Sequence, residues 1–208
     1  MSPSRVAQTF VVIVPVKPPA RGKSRLDGLP TDQRRDLAAA FARDTVAAAM
    51  RTPQVEAVLA VTDDFRFAAA LRADGCVVIP DGVTEDLNAT LLQAGAEAAR
   101  RWPTSMPVAL CADLPCLTSQ DLASALAEVD GPSFVRDAAG AGTTTYVAPH
   151  AQFEPAFGLD SAAHHLARGA VEVGSAATTL RLDVDDRADL AEALALGVGI
   201  HTARACGS

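Results

Sequence analysis

No stretch of the sequence approaches the roughly 20 consecutive apolar residues needed to span a bilayer. The apolar run Phe10 to Val16 is short, shows no cleavage-like pattern and leads straight into a basic loop, so it reads as neither an anchor nor a secretion signal. Cysteine is sparse as well. Cys76, Cys111, Cys116 and Cys206 form no CxxC pair and have no His-rich partner segment, which argues against zinc; reduced thiols in a cytoplasmic protein are the expectation. Acidic residues are missing from Met1 to Leu26, where Arg5, Lys17, Arg21, Lys23 and Arg25 are all basic. The whole chain nonetheless carries a formal charge of −7, from 18 Lys and Arg against 25 Asp and Glu. Nucleic-acid binding draws its affinity from phosphates neutralised by basic side chains, so this balance argues against it. A basic stretch within an acidic protein suits a small anionic ligand. No repeat or linker divides the 208 residues, and a single domain over 1–208 is expected.

Short apolar runs alternate with helical patterns. Phe10 to Val16 reads as a strand buried on both faces. Thr31 is placed to cap a helix to about Met50, followed by a strand over Val55 to Val61 and a helix from Phe65 to about Ala73. Gly75 ends that helix, and Cys76 to Ile79 is the third strand. A helix from about Asp86 to Arg101 and a strand over Pro107 to Cys111 follow, then a helix capped by Thr118 or Ser119. Ser133 to Arg136 and Thr143 to Ala148 look like strands around a glycine-rich hairpin. Ser161 to Arg168 is a short helix, Leu180 to Val184 a strand, and Asp186 opens a final helix. This order predicts an α/β fold with a doubly wound, mostly parallel sheet. Ligands of such sheets bind beyond the carboxyl ends of the strands, where Lys17, Asp63, Asp81, Asp113 and Asp183 are all expected.

Familiar phosphate signatures are absent. The stretch Lys17 to Ser24 ends in Gly22-Lys23-Ser24 but has Lys17 where a P-loop needs glycine, and Asp27 to Pro30 breaks the helix a P-loop requires. There is no GxGxxG and no GxSxG. His150, His164, His165 and His201 are scattered; the His164–His165 pair could touch an anionic substrate, but a half-exposed place on a helix is the expectation. A protein nucleophile is thus not in evidence, which fits attack by a substrate phosphate that is already anionic. Lys17, Lys23 and Arg25 remain as a cationic loop on the functional edge, able to neutralise a triphosphate. Asp113, in Ala112-Asp-Leu-Pro115, stands where a metal could be held. Asp183 and Asp185 alternate along the expected strand and so share a face. Magnesium takes one or two carboxylates plus phosphates and water.

Several stretches together resemble the guanylyltransferases of deazaflavin coenzyme F-420 biosynthesis, which act on phosphoenolpyruvate or 2-phospho-L-lactate. They are Val14-Pro-Val-Lys17, Gly22-Lys-Ser-Arg-Leu26, Leu87-Asn88-Ala89, Ala112-Asp-Leu-Pro115, Gly142-Thr143, Phe157-Gly-Leu-Asp-Ser161 and Leu182-Asp-Val-Asp185. The resemblance covers nearly the whole chain. It implies a nucleotide-diphospho-sugar-transferase-like fold with a small β-rich acceptor-binding insertion, and a need for GTP and Mg2+. Lys17, Lys23 and Arg25 would contact the GTP phosphates, and Asn88 would lie near the nucleoside. Asp113 and Asp183 would bind Mg2+, with Asp185 as a third carboxylate. Thr143, Gly158 and Ser161 would hold the acceptor's phosphate and carboxylate. The acceptor would be phosphoenolpyruvate, as in the actinobacterial members whose alanine- and arginine-rich composition this chain shares; 2-phospho-L-lactate and 3-phosphoglycerate stay open. So do a homo-oligomer and, from a different class, a non-catalytic nucleotide-binding regulatory domain.

Overall fold

A computed structural model describes residues 8–16, 29–83 and 86–207. Lys17, Lys23 and Arg25 lie outside them.

The apolar run near the start forms β1 (Phe10–Pro15), and its burial explains the sequence. Phe10, Val12 and Val14 pack into one cluster, Val11 and Ile13 into another on the opposite face. A strand covered on both sides has no use for polar residues at either parity. The first cluster is completed by α1 (Thr31–Met50), α2 (Phe65–Ala73) and α4 (Ser119–Ala127); the second by α3 (Leu87–Arg101) and α5 (Ser161–Ala167).

Between them lies one sheet among the described residues, in the order β3-β2-β1-β4-β6-β5-β7. The strands β2 (Val55–Val61), β3 (Val77–Ile79) and β4 (Met106–Leu110) run parallel to β1 or to its parallel neighbour. The hairpin β5 (Ser133–Arg136) and β6 (Thr143–Val147) joins antiparallel to β4, and the two-residue β7 (Val171–Glu172) closes the edge. The β-rich segment is therefore continuous with the sheet. From β1 the chain winds first toward β3, then returns to the other side through β4. That reversal puts the switch-point crevice at the carboxyl ends of β1 and β4.

Helix starts follow the capping rules. Asp64, Asp86 and Asp186 each accept two backbone N–H groups at the entries of α2, α3 and α7 (Arg187–Leu196), and Thr118 caps α4. Thr31 does not cap α1. Pro30 occupies the cap position, with φ −53° and ψ 147°, and Thr31 is the first helical residue.

The larger correction concerns Leu180 to Val184, expected as a strand. Thr178–Arg181 is instead a single helical turn, α6, and Leu182 to Asp185 run on without a ladder. Arg181 decides this. Its guanidinium donates to the carbonyls of Arg136, Asp137 and Ser175, while its own carbonyl accepts from Ala138 N–H. The segment is thus stapled across the exit of β5 rather than alongside a strand. Leu182 and Val184 are still buried, in a small cluster with Leu37, Phe41, Cys116 and Ala193. The period-2 pattern was real, but it served a loop.

A last helix, α8 (Ile200–Ala205), was not anticipated. Asp44, buried midway along α1, accepts from the N–H groups of His201 (3.0 Å) and Thr202 (2.8 Å) and holds the entry of α8. Gly199 leaves room for that carboxylate, since a Cβ there would collide with it. Asp44→Ala should cost about 2–3 kcal/mol of stability in urea unfolding, the scale of charge-assisted hydrogen bonds lost from a buried site.

Candidate active site

Asp113 follows β4 by three residues, at the edge where the strand order reverses, on a loop clamped on both sides. Thr45, fully buried in α1, donates to Phe41 O (2.9 Å) and lies 3.3 Å from Ala112 O, and its oxygen accepts from Leu114 N–H at 3.1 Å. The carbonyl of Asp113 accepts from Val184 N–H at 3.0 Å. That single bond draws Leu182 to Asp185 against the end of β4. With Leu182 and Val184 turned into the core, Asp183 is half-buried and Asp185 exposed.

The carboxylates sense one another. Asp183 is pushed up from 3.8 to about 7, first by burial, then by the nearby charges of Asp113 and Asp185, with a smaller contribution from Asp137; its backbone hydrogen bond opposes the shift. Among the described residues, no group of three or more His, Cys, Asp or Glu is close enough to hold a metal by itself. The arrangement suits a hard cation that takes one or two carboxylates and completes its shell with substrate oxygens and water.

The antiparallel pairing of β6 with β4 brings the start of β6 to the same edge. Cys111 N–H donates to Thr144 O (2.8 Å), and the Cys111 thiol reaches Thr143 O at 3.5 Å. Thr143 thus lies beside the Ala112–Asp113 segment. The hairpin loop before it is shaped by Asp137, whose carboxylate accepts from the N–H groups of Gly140 (2.6 Å), Ala141 (3.0 Å) and Gly142 (2.8 Å). Gly142 has no room for a Cβ because Asp137 fills the space. The loop is then tied to α5, where Ala162 N–H donates to Ala141 O at 3.1 Å.

At the entry of α5, Gly158 has φ 136° and Asp160 has φ 53°, so this turn uses the left-handed region twice. A Cβ on Gly158 would meet open space, so glycine is there for its backbone freedom. Ser161 is buried, and its N–H is taken by Gly158 O (3.2 Å). Ala162 N–H is taken by Ala141 O, so the first two amides of α5 already have partners within the protein. Asp160 stands at the cap position without capping.

Asn88, at the start of α3, meets the same turn from the other side. Its amide nitrogen donates to Phe157 O (2.9 Å) and its oxygen accepts from Phe157 N–H (2.8 Å). One amide hydrogen and one lone pair remain for a ligand. Asn88→Ala should therefore raise the KM of the acceptor as well as that of the nucleotide, by about tenfold for the former, the worth of roughly one lost hydrogen bond. Steady-state kinetics with each substrate varied in turn would check this. An effect on the nucleotide alone would mean the Phe157 bridge is idle.

Of the histidines, His165 departs most from expectation. It is fully buried, whereas His164 is exposed. Its ring stacks on Tyr146 (4.6 Å between centroids) and Phe134 (5.6 Å), and reaches Thr143 Oγ1 at 3.1 Å. Asp137, His165 and Thr45 are the three site-supporting residues that sequence reasoning missed. His165 was visible only as half of a histidine pair, Asp137 lies within the glycine-rich hairpin, and Thr45 left no signal.

Comparison with known proteins gives the family and the fold. A family described as guanylyl transferase CofC like matches residues 10–205. A protein of Streptomyces coelicolor named phosphoenolpyruvate guanylyltransferase is 47% identical over 199 residues, covering 93% of this chain and 94% of its own. One of the same name from Thermomonospora curvata is 46% identical over 199 residues, covering 94% and 87%. Among solved structures, one from Desulfovibrio desulfuricans G20 assigned to the nucleotide-diphospho-sugar transferases superposes with a TM-score of 0.64 at 15% identity, covering 88% of this chain and 85% of its own. The fold is that of the nucleotide-diphospho-sugar transferases. By sequence the chain belongs to the CofC-like guanylyl transferase family.

Proposed function

We propose that the chain transfers GMP from GTP to phosphoenolpyruvate, yielding enolpyruvoyl-2-diphospho-5′-guanosine and pyrophosphate in the biosynthesis of deazaflavin coenzyme F-420. The reaction rests on the relatives named phosphoenolpyruvate guanylyltransferase, which match nearly end to end. The observation that ties it to this molecule is the meeting of Asp113, Asp183 and Thr143 at one edge of the sheet, where the strand order reverses.

An oxygen of the acceptor phosphate bonds to the α-phosphorus of GTP as the bond from that phosphorus to the bridging β-oxygen breaks, and pyrophosphate leaves. The acceptor oxygen is anionic from the outset, so no protein base is needed; positioning and charge neutralisation carry the rate. Asp113 and Asp183 fit Mg2+, being hard oxygen donors whose repulsion a dication relieves. Asp185 adds negative charge beside the pair, since among the described residues no three such groups lie close enough to hold a metal together. Bound Mg2+ would supply charge neutralisation on the reacting phosphates. Lys17, Lys23 and Arg25, outside the described residues, take the triphosphate by resemblance. Asn88 sits near the nucleoside while bracing the Phe157 turn. Thr143, Gly158 and Ser161 hold the acceptor's phosphate and carboxylate.

The protein works as one nucleotidyltransferase domain in the cytoplasm on two small molecules, with no nucleic-acid or membrane partner. Among the described residues no helix is long and apolar enough to cross a membrane. GTP labelled at the α-phosphorus should pass its label into the phosphoenolpyruvate product, and label at the γ-phosphorus should leave as pyrophosphate. Release of the γ-label as orthophosphate with formation of GDP would contradict the reading.

A further inference from the structure

His165 is the one fully buried histidine in the described chain, and the groups around its ring determine which nitrogen carries the proton. Ala156 N–H lies 3.0 Å from Nε2. A backbone amide can only donate, so Nε2 presents a lone pair. The ring is neutral. Burial lowers its pKa to about 4, and the positive charges of Arg168 and His164 push the same way. A neutral imidazole with a bare Nε2 carries its hydrogen on Nδ1. The oxygen of Thr143 lies 3.1 Å from Nδ1, and a hydroxyl there serves this tautomer by accepting. Rings close the remaining sides: Tyr146 and Phe134 stack on the imidazole, and Phe157 meets it edge-on at 5.7 Å. The Tyr146 hydroxyl is turned elsewhere, donating to Gln152 O.

The consequence falls on Thr143. Its oxygen accepts from Nδ1–H, so its own hydrogen has no place to go on the ring. With the opposite tautomer the hydroxyl would donate into the imidazole and turn lone pairs toward the site, which repels an anion. We propose that His165 is a positioning residue that fixes the Thr143 hydroxyl as a hydrogen-bond donor for the anionic oxygens of the phosphorylated acid. The same ring holds Ala156, two residues before Gly158, so it also sets the distance between β6 and the turn at the entry of α5. This rests on the reading of Thr143 as part of the acceptor site and assigns the origin of its polarity.

Two kinds of measurement test it on the full-length protein. In a 15N-labelled sample, His165 at neutral pH should give a protonated Nδ1 and a bare Nε2 by long-range proton–nitrogen correlation. An Nε2–H tautomer or an imidazolium overturns the proposal, and no variant has to fold for that result. In kinetics, Thr143→Val should raise the KM for phosphoenolpyruvate about tenfold, the value of one charge-assisted hydrogen bond, with little change in the KM for GTP. His165→Gln, which reaches toward Ala156 but leaves Thr143 unsupported, should do nearly the same. His165→Asn, whose amide can still donate to Thr143, should restore most of the loss. The double variant Thr143→Val with His165→Gln should be within about twofold of Thr143→Val alone, since both remove one interaction. Multiplying effects, or no rescue by His165→Asn, would leave His165 a packing residue and overturn the positioning role. An unchanged KM in Thr143→Val would instead overturn the acceptor assignment itself, whichever tautomer the spectrum reports.

Discussion

Replacing Asp113 by Asn is expected to lower turnover about a hundred- to a thousandfold while leaving the protein folded, the scale of losing one preorganised electrostatic element of a site, here a ligand of the proposed Mg2+. Asn keeps the shape of the side chain while removing its charge and turning one acceptor oxygen into a donor. The backbone around it is held independently, by Val184 N–H on the Asp113 carbonyl and by Thr45 on Ala112 and Leu114. A continuous pyrophosphate-release assay together with a melting curve would read both halves of the expectation. Turnover near the parent's in a folded Asp113→Asn protein would remove Asp113 from the chemistry. A collapse of the melting transition would give the residue a structural weight that its partners do not suggest.

The second large effect is a dependence on pH that a divalent cation should reverse. Asp183 titrates near 7 in the folded protein against 3.8 ordinarily, raised by burial and by Asp113 and Asp185. Between those values the native state keeps a proton that the unfolded chain has released. Stability of the chelator-treated protein must therefore fall as pH rises from about 4 through about 7. The loss should be on the order of 2 kcal/mol, below the roughly 4 that three pH units would mean for a sealed site, because Asp183 is only half-buried. Bound as proposed, Mg2+ would compete with that proton. Its affinity should rise with pH and level off above about 7, with proton uptake by the buffer visible in calorimetry across buffers of different ionisation enthalpy. Asp183→Asn should flatten the pH slope and weaken Mg2+ binding together. A slope unchanged in that variant would assign the titration to another group.

Much of the first half of the fold was legible because its signals are local. Phe10 to Val14 has no polar residue, as a strand covered on both faces requires. Asp64 and Asp86 announce their helices by capping them, and Gly75 ends α2 with φ 103°. The failures share a different cause. Leu180, Leu182 and Val184 alternate as a strand would and are indeed buried, yet Arg181 spends its guanidinium on Arg136, Asp137 and Ser175 and bends the segment away from the sheet. The helix α8 is six residues long and depends on Asp44, more than 150 positions earlier. Within the site, the positions of Asp113, Thr143 and Ser161 follow from strand ends and a helix start. The residues that hold them, Thr45, Asp137 and His165, act across the chain. His165 looks like half of an ordinary surface pair until Phe134, Tyr146 and Phe157 close around it.

Purified protein with Mg2+, offered GTP or ATP against phosphoenolpyruvate, 2-phospho-L-lactate and 3-phosphoglycerate in every pairing and read by mass spectrometry, tests the central claim most directly. The expected result is a guanosine diphosphate diester with phosphoenolpyruvate as the dominant product, together with one pyrophosphate per product. A preference for ATP, a dominant product from either of the other acids, or GTP bound without any diester formed would contradict it.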